Sequence, residues 1–167
     1  NLAGLLDLVA LGTVADVVTL DRNNRILVEQ GLKRIRAGRG RPGIRALLQV
    51  AGRDPAQATA MDLGFFAGPR LNAAGRLEEM SLGVECLLAE DQARALELAT
   101  RLDELNRQRR EIEEGMRAQA EYLVERLTFR GEDLPAGLCL FGRGWHQGVS
   151  GILAARIRER YHRPVVA

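Results

Sequence analysis

The chain has 167 residues, of which 46% are hydrophobic, 28% charged and 4% aromatic, with a net charge of +2. Such proportions fit a globular chain with an aliphatic core, either one ordinary domain or pieces of two. No apolar run approaches the roughly 20 residues that span a bilayer, and no basic segment followed by an apolar one marks a secretion leader, so a cytoplasmic location without membrane partners is expected.

Residues 2–18 are apolar almost all round, with Leu5, Leu6, Leu8, Val9, Leu11 and Val14, and read as a buried helix that turns near Gly12-Thr13. Asp21 is placed to cap a helix over about 22–36, with Ile26, Leu27, Leu32 and Ile35 inward. Gly38-Arg39-Gly40-Arg41-Pro42-Gly43 is a loop, and a helix follows at about 43–51. Another helix is expected over 58–67, stopped by Gly68-Pro69, which would present Arg70 from an irregular turn. A short helix covers about 81–89.

The longest element is expected over 91–127. Leu98, Leu102, Leu105, Ile112, Met116, Ala120, Leu123 and Leu127 form one stripe, with Arg and Glu dense on the reverse face. On this pattern alone it reads equally as a coiled-coil arm. The segment from Arg130 to Pro135 is expected to turn into a strand at Leu138-Cys139-Leu140-Phe141. A glycine-rich turn and a helix with Ile152, Ala155, Ile157 and Tyr161 on helical spacing come next. Strand, glycine turn and helix together make a candidate anion site, because the first helical amides lack internal partners and lie at the positive end of the helix dipole. The chain opens at Asn1 inside a helical pattern and closes on Arg163-Pro164-Val165-Val166-Ala167, the opening of a strand, so an internal part of a longer protein is expected. Cys86 and Cys139 lack metal-type spacing and are expected to be buried, reduced thiols.

Three groups of residues are candidates for chemistry. Asp16 is the only acid between Leu8 and Leu20 and follows the small residues Gly12, Thr13 and Ala15. A carboxylate at a helix C-terminus is poorly placed for the dipole and needs a partner, whether a hydrogen-bond donor or a cation. Arg70, Asn72 and Arg76 offer guanidinium forks and an amide suited to phosphate, or to a pairing of the arginines with Glu78 or Glu79. Arg143 and His146 stand in the glycine turn. Between Arg22 and Arg53, nine basic residues (Arg22, Arg25, Lys33, Arg34, Arg36, Arg39, Arg41, Arg45 and Arg53) face Glu29 alone. That block suits a phosphate backbone or a solvated helix face.

Three segments resemble, in order, motifs of the RecJ-type single-strand-specific DNA exonucleases within the DHH phosphoesterase family. They are Ala10-Leu11-Gly12-Thr13-Val14-Ala15-Asp16-Val17-Val18, Gly68-Pro69-Arg70-Leu71-Asn72-Ala73-Ala74-Gly75-Arg76-Leu77 and Gly144-Trp145-His146-Gln147-Gly148-Val149. Thr19 stands where the family pattern has Pro, and Ser150 where it has an aliphatic residue. The resemblance implies an α/β architecture. Residues 1–90 would be the mostly helical C-terminal part of a DHH catalytic domain, 91–130 a long connecting helix, and 131–167 the start of a DHHA1-like substrate-binding domain. It implies Asp16 as a ligand of Mn²⁺ or Mg²⁺, with the remaining ligands, in an Asp-x-Asp and an Asp-His-His motif, upstream of Asn1. It further implies Arg70, Asn72 and Arg76 as contacts to single-stranded DNA. His146 would be a catalytic group at the phosphate, with Gly148 and Gly151 beside it. The implied activity is metal-dependent 5′→3′ hydrolysis of single-stranded DNA in recombination and repair. Two alternatives remain: a DHH phosphoesterase for short oligonucleotides or cyclic dinucleotides, and a non-catalytic nucleic-acid-binding helical module.

Overall fold

A computed structural model of the chain describes residues 2–128 and 134–167. It divides into two compact units, residues 1–106 and residues 107–167, and the division falls inside the longest helix.

In the first unit, α1 (Leu6–Ala15) follows a short 3₁₀ turn, and α2 (Arg22–Arg34) begins where the Asp21 side chain accepts a 2.8 Å hydrogen bond from the Asn24 amide. The two helices approach closely at Gly31, where a methyl group would collide with the Leu6 carbonyl and the Ala10 side chain. The inward stripe of α2 is Val28, Leu32 and then Ile35. Ile26 and Leu27, expected inward, are 51% and 38% exposed, because at 100° per residue they fall off that stripe. The helix expected to be buried all round is covered on one side: Ala10 and Leu11 are buried, while Leu5 and Val9 stay exposed.

α2 runs into a π-type turn, Ile35–Arg39, broken at Gly38 with φ of 70°. α3 (Pro42–Val50) then starts with proline in its first turn, where no backbone donor is missed. Buried Asp7 fixes this connection by accepting 2.7 Å from the Arg41 amide. The helix after Thr59 departs from expectation at Gly68-Pro69. Proline does not stop it. A π-helical turn, Asp62–Ala67, leads directly into α4 (Gly68–Leu77), and the Gly68 amide reaches back five residues to the Leu63 carbonyl. The widened turn accommodates a ring that lacks an N–H and would clash in a regular α-helix. Gly64 and Gly68 let this helix press on the end of α1; a Cβ at Gly68 would lie 3.1 Å from that of Ala15.

α5 (Ser81–Leu88) packs on α3, with the Cys86 carbonyl against Gly43. The 37-residue α6 (Gln92–Thr128), about 55 Å long, sends Ala95, Leu98, Ala99, Leu102 and Leu105 into the core of this unit.

In the second unit, Met116, Ala120 and Val124 are the buried positions of α6, with Ile112 and Leu123 half-buried. β1 (Leu138–Cys139) and β2 (Val165–Val166) pair in parallel, Leu138 with Val165 and Cys139 with Val166, and α7 (Gln147–Tyr161) connects them. The expected strand–helix–strand unit is therefore present. Its buried stripe is Val149, Leu153 and Ile157 at four-residue spacing, while Ile152, Ala155 and Tyr161 are only half-buried. Cys139, expected to be buried, is exposed, because side chains alternate along β1 and Leu138 and Leu140 take the inner face. The turn expected at 130–133 and the Leu127 side chain lie outside the described residues. Among the described residues no helix is long and apolar enough to cross a membrane.

Candidate functional site

Asp16 caps the C-terminus of α1, and the turn that holds it is unusual. The Val17 amide donates to the Val14 carbonyl at 3.2 Å and the Val18 amide to Thr13 at 3.0 Å, the two bonds of a Schellman motif. Such a motif needs a left-handed residue, normally glycine. Here that residue is Val17, with φ of 54°. A β-branched side chain there costs about 1–2 kcal/mol. The turn leaves Asp16 exposed, and its carboxylate has no hydrogen-bond or ion-pair partner among the described residues. Nothing in the local sequence signals the strained turn, since Val carries no such preference.

Asp16 stands at a cleft of about 350 Å³ between α1, α4 and α5, whose walls include Leu8, Leu11, Gly68, Leu71 and Met80. Asn72 is its other polar lining residue. The structure thus brings Asp16 and Asn72 together. Arg70 sits differently: its guanidinium makes a 2.7 Å ion pair with Asp103 on α6 and donates to the Phe66 carbonyl at 2.7 Å. It would meet a ligand only by leaving Asp103. Arg76, on the last turn of α4, is exposed.

The same unit contains a buried carboxylate, Asp62, that is not among the sequence candidates. Asp62 accepts from the Thr59 amide and hydroxyl at 2.8 and 2.7 Å and from Arg53 at 2.5 Å. Burial alone would raise its pKa, but the Thr59 hydrogen bonds and the Arg53 guanidinium outweigh burial and hold it below the usual value. Thr59-Ala60-Met61-Asp62 is a capping box, with the Asp62 amide donating back to the Thr59 hydroxyl at 3.3 Å, so this signal was present in the sequence. Burial pushes the Cys86 thiol up to about 11, which makes it an inert core group.

In the second unit, His146 is the N-cap of α7, and its Nδ1 accepts from the Gly148 amide at 3.1 Å. The carbonyl of His146 accepts from the Val149 and Ser150 amides. Those amides, expected to be open to an anion, are therefore occupied within the turn. The hydrogen bond at Nδ1 leaves the ring proton on Nε2. Trp145 braces the turn: its indole N–H donates to Gln119 at 2.9 Å, and it covers Gly142 so closely that a methyl there would collide with the ring. Gly151 is exposed, with open space around its Cα.

The basic block is partly used within the fold. Arg53 serves Asp62 and lies 4.5 Å from the Phe66 ring centre, Arg36 donates to the Ala58 carbonyl, and Arg25 donates to the Leu20 carbonyl. Arg39 is exposed and has no polar partner among the described residues. No group of three or more His, Cys, Asp or Glu side chains that could hold a metal ion occurs among the described residues.

No family model matches the chain. It is 65% identical over 167 residues to the single-stranded-DNA-specific exonuclease RecJ of Dickeya dadantii and 61% identical to that of Escherichia coli, covering 100% of this chain and 29% of each relative. The crystal structure of RecJ in complex with Mg²⁺ from Thermus thermophilus superposes with a TM-score of 0.83 at 36% identity, over 98% of this chain and 25% of that one. A crystal structure of exonuclease RecJ bound to manganese gives a TM-score of 0.81 at 36% identity, over 98% of this chain and 40% of the other. The chain spans about 29% of the length of the curated relatives it matches.

Proposed function

Because the chain belongs over its whole length to the RecJ-type single-stranded-DNA-specific exonucleases, we propose that it forms part of a metal-dependent 5′→3′ exonuclease that hydrolyses phosphodiester bonds of single-stranded DNA in recombination and repair. The observation that carries this reading is the exposed Asp16 carboxylate, which has no partner among the described residues and is held by a strained turn at the cleft it shares with Asn72. Hard divalent cations favour oxygen ligands, and the structures of the relatives contain Mg²⁺ or Mn²⁺. Asp16 fits as one ligand, and the others would come from chain outside the described residues. When bound, the cation supplies a water of lowered pKa and neutralises charge at the phosphate.

The chain's own residues would then bind and orient. Asn72 donates to substrate in the cleft, and Arg76 pairs with phosphate from the same helix. His146 offers its Nε2 proton to a phosphate oxygen while its Nδ1 holds the turn. Arg39 would add a non-specific backbone contact. Residues 131–167 would begin a DHHA1-like substrate-binding domain, and an enzyme acting on chromosomal DNA would work in the cytoplasm.

The test is digestion by the full-length protein of single-stranded DNA, duplex DNA and dinucleotides, each with Mn²⁺, Mg²⁺ or chelator. Metal-dependent digestion that favours long single strands is expected. Preference for dinucleotides would replace this reading with the short-oligonucleotide one, and no hydrolysis in any arm would leave a binding module.

A further inference from the structure

Aromatic side chains are scarce in this chain, yet Phe65 is 72% exposed. Its neighbour Phe66 is half-buried with Arg53 over its ring. Phe65 lies between two glycines that touch α1: Gly64, whose Cβ would stand 3.0 Å from the Val14 side chain, and Gly68 against Ala15. Its backbone therefore lies beside the end of α1 that carries Asp16, while its ring stands outside the residues that line the cleft. Along its own helix, the wide turns of the π segment followed by α-helical turns bring Phe65 to within about 50° of Asn72, roughly 10 Å further along. Arg76 falls on the same face. One face of this helix thus presents, in order, an exposed aromatic ring, the amide that lines the Asp16 cleft, and a cation.

We propose that Phe65 is a stacking platform for an unpaired nucleobase, seating one base of a single strand next to the Asp16 cleft. The inference rests on the exonuclease reading and adds to it a residue that determines specificity. The described residues leave most of the Phe65 surface open, and its ring offers a π-face to any base. Bases in a duplex are already stacked on each other, so only a single strand can present one without unpairing. The seat is indifferent to which base arrives, as a degradative enzyme requires.

The test pairs protein variants with altered strands. Binding of full-length wild type, Phe65→Ala and Phe65→Trp to fluorescent single-stranded DNA is measured without divalent metal, and digestion is measured with Mn²⁺. Each strand is used intact and with a single abasic site moved one position at a time from the digested end. Phe65→Ala is expected to weaken binding of the intact strand about tenfold, with Phe65→Trp close to wild type. One abasic position should weaken wild type by a similar factor and leave Phe65→Ala no weaker than before. Wild-type affinity in Phe65→Ala, or an equal loss on intact and abasic strands, would overturn the stacking while leaving the exonuclease reading in place. A wild-type protein that neither binds nor digests single strands would overturn both.

Discussion

Asp62 shows how much a single residue depends on its neighbours. Its carboxylate is buried, yet three short hydrogen bonds keep it ionised below the usual range. Arg53 is 43% exposed and solvent-screened, so the Thr59 bonds do most of this. A carboxyl whose folded pKa is depressed contributes stability that is present above its unfolded pKa and is lost as pH falls through the folded one. Asp62→Asn is therefore expected to cost about 1–3 kcal/mol at neutral pH and to flatten the loss of stability below about pH 4. Urea melts across that range check both. Val17 predicts the opposite sign. Val17→Gly keeps both Schellman bonds and relieves the left-handed strain, so a gain of about 1 kcal/mol is expected, with digestion unchanged. A melting temperature below wild type would show that the strain is not local. Sequence reasoning reached Asp16 because it is an isolated acid after small residues. It did not reach Val17, because a β-branched residue at positive φ is imposed by the fold and has no local pattern. Phe65 was hidden for a related reason: exposure is a property of the assembled surface, and the expected helix over 58–67 does not say which of its faces is covered.

Among the elements, helix ends were the most legible. Asp21 caps α2 where expected, and the strands around α7 pair as the flanking pattern implies. The failures have separate causes. Gly68-Pro69 reads as a stop only if the turn before it is α-helical, and the π turn removes that premise. Leu32 and Ile35 are inward as expected, but Ile26 and Leu27 are not, because the three-residue apolar run Ile26-Leu27-Val28 does not say which member leads, and Gly31 at the α1 contact decides it. Two glycine substitutions separate contact from propensity. Gly31→Ala forces a methyl into the Leu6 carbonyl and should destabilise by about 1–3 kcal/mol. Gly115→Ala, in the exposed middle of α6 with nothing within 4 Å, should stabilise by about 0.5–1 kcal/mol. Thermal denaturation of the two variants should shift in opposite directions. A rise in both would show that the close approach of α1 and α2 carries no energetic weight.

For the whole molecule, the long helix α6 is shared by two compact units, each with its own buried residues. The first holds the Asp16–Asn72 cleft and the second the His146 turn. Three motifs in order made the family legible, while the use of Arg70, Arg53 and the Gly148 amide inside the fold was not, because intramolecular partners distant in sequence satisfy them. Asp16 is expected to be the carboxylate this region contributes to a metal site. The most direct measurement is Mn²⁺-dependent digestion of single-stranded DNA by the full-length protein carrying Asp16→Ala, with its fold checked by circular dichroism and its DNA affinity measured without metal. The expected result is a loss of cleavage of more than about a hundredfold, with fold and metal-free affinity retained. Cleavage at the wild-type rate in a folded Asp16→Ala protein would contradict the account and reduce Asp16 to a helix cap.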